Sequence, residues 1–111
     1  MPMFLTRFSY TAETWARLRR QPEDRTGPVR ASIEAVGGRL HGLWYAIGDC
    51  DGVALWEAPT RISVAASLVA TRAAGAHSRL DTMVLLSVDE VLEALRESAS
   101  VAYHAPAAAQ S

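Results

Sequence analysis

The segment Gly37-Gly38-Arg39-Leu40-His41-Gly42-Leu43-Trp44-Tyr45-Ala46-Ile47-Gly48-Asp49-Cys50-Asp51-Gly52-Val53-Ala54-Leu55-Trp56-Glu57-Ala58-Pro59 decides the fold. With the two-residue period of a strand, Leu40, Trp44 and Ala46 fall on one face and His41, Leu43, Tyr45 and Ile47 on the other. The return segment from Val53 to Glu57 sorts the same way, with Val53 and Leu55 opposing Ala54 and Trp56. Between them, Gly48-Asp49-Cys50-Asp51-Gly52 supplies glycines and aspartates that tolerate positive φ, so the pair is expected to be a β-hairpin. An antiparallel pair with one wet face alternates apolar with polar residues. Apolar residues on both faces imply that both faces become covered.

Upstream, Gly37-Gly38 ends a helix that starts near Thr26, has Pro28 in its first turn and carries Val29, Ile33 and Val36 at helical spacing. A polar joint from Glu23 to Gly27 precedes it. Pro22 stops an earlier helix, capped by Thr11, whose apolar positions are Ala12, Trp15, Ala16 and Leu18. Met3 to Tyr10 reads as a strand. Downstream, Thr60 caps an alanine-rich helix with a predicted apolar stripe of Ile62, Ala65, Ala66, Val69 and Ala73, closed by Gly75. Alternation returns from Ala76 to Leu86, with Leu80, Val84 and Leu86 on one face and His77, Arg79, Asp81, Met83 and Leu85 on the other. Ser87-Val88-Asp89-Glu90 is a capping-box sequence opening a last helix with the stripe Val88, Val91, Leu92 and Leu95.

Two right-handed crossovers around a central hairpin give an α+β, ferredoxin-like βαββαβ domain. It is expected to hold a four-stranded antiparallel sheet with an extra C-terminal helix. The domain is expected to span residues 1–98, with 99–111 a disordered tail. Both crossover helices lie on one face of such a sheet, and the bare face is expected to pack against a second copy in a homodimer, or a higher homo-oligomer.

The chain has 111 residues, which suffices for one core. Half of them are apolar, as in globular proteins. A formal charge of -1 gives no reason to expect nucleic acid or an anionic membrane as a partner. A single cysteine excludes an intrachain disulfide. The first residues lack the pattern of a cleavable signal, and no apolar run approaches the ~18 residues of a membrane span, so a cytoplasmic location is expected.

Several segments together resemble the GYD-domain family: Pro22-Glu23-Asp24-Arg25-Thr26, Ile33-Glu34 followed by Gly37-Gly38, Tyr45-Ala46-Ile47-Gly48-Asp49-Cys50-Asp51, and Glu57-Ala58-Pro59. The resemblance spans about residues 3 to 97. It implies the dimeric α/β-barrel group, whose ferredoxin-like subunits pair through their sheets. Gly48 and Asp51 match the glycine and aspartate for which the family is named, and Cys50 stands at the tyrosine position.

Arg7, His41 and Tyr45 are the candidate ligand-binding residues. If the face bearing His41 and Tyr45 lined a space between paired sheets, guanidinium, imidazole and phenol would converge on a small molecule. Asp49 and Asp51, two apart in the turn motif Gly48, Asp49, Cys50 and Asp51, suit backbone hydrogen bonding better than a metal, which needs further oxygen ligands. His77, Arg79 and Asp81 form one polar row on the fourth strand, an expected edge, where charge deters edge-to-edge pairing. No nucleophile elbow, phosphate loop or CxxC pair is present, and no cofactor or metal is expected. Three readings of function follow: a homodimeric small-ligand binding or regulatory module, a cofactor-independent monooxygenase or isomerase, and a purely structural assembly protein.

Overall fold

The computed structural model describes residues 1–107. Its elements run β1 (Met3–Tyr10), α1 (Ala12–Arg20), α2 (Thr26–Glu34), β2 (Arg39–Tyr45), β3 (Gly52–Glu57), α3 (Arg61–Ala73), β4 (His77–Leu85) and α4 (Val88–Ser98). The strands form one antiparallel sheet in the order β2-β3-β1-β4, the ferredoxin-like arrangement.

Local chemistry starts and stops the helices where the sequence places it. Thr11, Thr60 and Ser87 each accept a hydrogen bond from the backbone N–H three residues on. Ser87 and Glu90 complete a reciprocal capping box. At the entrance of α2, Asp24 Oδ1 accepts the Thr26 N–H at 2.9 Å. Gly37 and Gly75 end α2 and α3 with φ of 81° and 76°, the left-handed backbone that a side chain disfavours.

The core lies between the sheet and the first three helices. Phe4, Ile33, Leu40, Ala54, Trp56 and Ala58 form one buried cluster, and Phe8, Tyr10 and Leu80 a second. Trp56 is only 2% exposed, and its indole N–H donates to Thr6 Oγ1 at 2.8 Å. The Thr6 hydroxyl also shares a 2.8 Å hydrogen bond with that of Thr82, which closes the polar accounts of this buried row.

The structure departs from the expected faces in four places. The side of α3 turned toward the sheet carries Val64, Ser67, Leu68 and Thr71, while Ile62 and Val69 are 82% and 65% exposed. Apolar residues run all round this alanine-rich helix, so either stripe satisfies the helical period. In β2 the register slips between Leu40 and Gly42, with His41 as the extra residue. Beyond that bulge the alternation is inverted. Leu43 and Tyr45 join Leu40 on the helix side, opposite Ala54 and Gly52, while Trp44, opposite Val53, joins the other face.

A second slip, in β4, leaves Ser78 unpaired between Arg79, opposite Ser9, and His77, opposite Tyr10. His77 therefore leaves the row of Arg79 and Asp81 and turns under the helices. Finally, the hairpin connection runs from Ala46 to Asp51 without positive φ at Gly48 or Gly52. Gly52 is instead required for room, since a Cβ there would collide with the Phe8 ring and lie 2.7 Å from the Trp44 carbonyl oxygen.

The face away from the helices presents Leu5, Arg7, Val53, Leu55, Trp44 and Met83, with Trp44 and Met83 53% and 40% exposed. α4 does not roof it. Every residue of that helix is exposed, its stripe of Val88, Val91, Leu92 and Leu95 included. Of the expected tail, 101–107 carry no regular structure and are exposed, and 108–111 lie outside the described residues. Among the described residues no helix is long and apolar enough to cross a membrane.

Candidate functional site

The end of β1 gathers an aromatic cluster. Thr11 turns the chain from β1 straight into α1, which sets Trp15 over Tyr10 with ring centroids 5.2 Å apart and near-perpendicular planes. Tyr45, carried to this side by the β2 bulge, brings its hydroxyl within 3.0 Å of the Tyr10 hydroxyl. The β4 bulge sets the imidazole of His77 against Tyr10 and Phe8 at 5.1 and 5.6 Å between centroids.

Asp51 ties this cluster to the hairpin. Its Oδ2 accepts the Tyr10 backbone N–H and the Trp15 indole N–H, both at 2.9 Å. Its own N–H donates to the Phe8 carbonyl at 2.9 Å, and its carbonyl accepts from Ala46 N–H at 2.8 Å. Asp51 is thus a structural anchor. Asp49 is 85% exposed at its side chain and lies 3.7 Å from Arg79, and Cys50 is a free, half-buried thiol. Among the described residues no three histidine, cysteine, aspartate or glutamate side chains gather as a metal site.

Two cavities adjoin at Tyr10, Val29 and His77. The inner one, about 80 Å³, lies between the sheet and α2 and α3, among Phe8, Leu43, Leu68 and Leu80. The outer one, about 270 Å³, opens between α1 and the start of α2, where Thr14, Arg17, Gln21, Glu23 and Arg25 add polar groups. Arg25 holds Glu23 at 2.8 Å, and Arg17 holds the exposed Glu13 at 3.3 Å.

The electrostatics of the junction favour neutral rings. Burial, then the nearby Arg25 charge, lowers the His77 pKa below the ordinary imidazole value. Its Nδ1 is buried and has no hydrogen-bond partner among the described residues. Burial, then the hydrogen bond with Tyr45, raises the Tyr10 pKa well above that of a free phenol.

The three candidate ligand residues do not converge. Tyr45 lies on the helix side of the sheet, 51% exposed, whereas Arg7 and His41 lie on the open face. His41 Nε2 is 3.5 Å from Glu57 Oε1. Arg7 stands opposite Asp81 in β4 and Val53 in β3, with its Nε buried and unpartnered among the described residues. The residues brought together instead are Tyr10, Arg17, Arg25 and His77, none of which carries a local sequence signal for binding. An X-Thr cap directly after a strand-end tyrosine is the nearest thing to one, because it forces helix α1 back over that ring.

A family model described as GYD domain matches residues 4–95. No curated protein matches the chain. Among solved structures the chain is similar to an uncharacterized NIPSNAP domain protein from Burkholderia xenovorans, at 14% identity and a TM-score of 0.46, covering 79% of this chain and 95% of that one.

Proposed function

The chain belongs to the GYD-domain family, and from that premise we propose that it is a homodimeric small-ligand-binding module whose ligand lies within each subunit, between the sheet and its helices. The observation that carries this reading is the pair of adjoining cavities at Tyr10 and His77. A core built only for stability closes such space at the density of an organic crystal. Here a mainly apolar chamber shares the walls of Tyr10, Val29 and His77 with one edged by guanidinium groups, the combination of apolar walls and a few polar groups that small-molecule sites use. The Tyr10 phenol, kept neutral by its surroundings, suits hydrogen bonding to a ligand.

Dimerisation is supported by the sheet face away from the helices, where Leu5, Val53, Leu55, Trp44 and Met83 stand among Arg7, His41, Glu57, Arg79 and Asp81, and by α4. An isolated helix shorter than about 12 residues is marginal in water, and α4 has 11 with its apolar stripe exposed. A second copy seated on the sheet, with α4 as an arm against it, would bury both. Native mass spectrometry of protein purified from its own host tests both parts together. The expected species is a dimer carrying a small molecule, and Leu5→Glu, in the middle of the open face, should shift it to monomer. A strictly monomeric, ligand-free protein at micromolar concentration would contradict the proposal.

A further inference from the structure

Resting on the homodimer reading, we infer that α4 is an interaction surface for the same helix of a second copy. The two helices lie antiparallel about a two-fold axis, with Asp89 of each set against the partner's Arg96.

The apolar side of α4 has nothing against it in its own chain. Every residue of the helix is exposed, the stripe of Val88, Val91, Leu92 and Leu95 included. Ser87 and Glu90 spend their side chains on the capping box, so the start of the helix is held locally while its stripe is left for packing. Burial of such a stripe is what holds a short amphipathic helix in place. The same stripe on a second copy covers it without desolvating a charge.

The charges choose the partner and its direction. Asp89 and Arg96 lie two helical turns apart and therefore share one edge of the stripe, while Ala94 and Ser98, small and uncharged, form the other. Among the described residues neither Asp89 nor Arg96 has an ion-pair partner. A two-fold axis perpendicular to two helices sets like edges side by side and reverses their direction. Each Asp89 then meets the partner's Arg96, and the contact is made twice, as a self-complementary interface requires. Parallel pairing would oppose like charges instead. Glu90, Glu93 and Glu97 lie on the far side of the helix, toward solvent. The exposed side of α3 is edged by Arg61 and Arg72, which would attract Asp89 but repel Arg96.

Sedimentation equilibrium of the full chain and three variants tests the inference. Asp89→Lys and Arg96→Glu each bring like charges together at both contacts and should weaken self-association roughly tenfold. The double variant Asp89→Lys/Arg96→Glu restores both pairs with their signs exchanged and should return to within about threefold of the wild type. Both substitutions oppose the helix dipole, so an effect exerted only through loss of helix would make the double variant the weakest of the three. Far-ultraviolet circular dichroism reads helix content alongside. Either single variant associating like the wild type, or a double variant as weak as the singles, overturns the α4 pairing. The homodimer reading then stands as long as Leu5→Glu still shifts dimer to monomer. A wild type that stays monomeric at micromolar concentration overturns both.

Discussion

The indole N–H of Trp15 donates to Oδ2 of Asp51 across 36 residues of sequence, at 2.9 Å. The same oxygen accepts the backbone N–H of Tyr10, so a single carboxylate joins the first helix, the end of the first strand and the hairpin turn. Asp51→Ala is expected to lower the free energy of unfolding by about 2–3 kcal/mol, because two donors lose a charged acceptor at once. Asp51→Asn, which keeps a carbonyl oxygen, should lose less. Urea unfolding followed by tryptophan fluorescence measures both, and an unchanged midpoint for the alanine variant would refute the anchoring role.

Burial of His77 makes stability depend on pH. Its folded pKa lies below the unfolded value of 6.5, so the unfolded chain takes up the proton first as the pH falls. The stability present above that value is lost progressively below it, until the folded imidazole also titrates. His77→Phe keeps a flat ring against Phe8 and Tyr10 and removes the titration. Between pH 7.5 and 5.5 the wild type should lose more stability than this variant in denaturant midpoints, and parallel losses would show that His77 is not the group responsible.

Thr6→Val retains shape but removes the acceptor for the indole of Trp56, a residue only 2% exposed. A loss of about 1–3 kcal/mol is expected, in the range for a buried donor left unsatisfied. Thr82→Val, which leaves the Thr6 oxygen free to accept from Trp56, should cost less. The comparison of the two midpoints checks the hierarchy.

Gly52→Ala places a methyl against the Phe8 ring and the Trp44 backbone. Overpacking of this kind costs about 1–3 kcal/mol. Gly48→Ala, where a Cβ meets nothing within 4 Å, should be close to neutral. Thermal melts of the pair distinguish a need for space from a need for backbone freedom in this turn.

The arrangement of elements was legible in the sequence because caps, turn residues and two-residue alternation agree over most of the chain. Met3–Tyr10 and the capping box at Ser87 lie where the pattern puts them. The site was not legible, for a reason confined to two residues. His41 and Ser78 are the extra residues of their bulges, and each inverts the alternation beyond it. Neither residue type announces a bulge, so Tyr45 was placed with His41, and His77 with Arg79. The structure separates both pairs and assembles Tyr45, His77 and Tyr10 instead. The face of α3 escaped for a different reason: alanine offers no contrast between its sides.

The tie through Asp51 runs entirely through that residue's carboxylate and main chain, and among the described residues the Cys50 side chain has no part in it. The hairpin is therefore fastened from one side only, and the thiol beside the anchor can be exchanged without loosening any of the joints that hold the strand end and the first helix.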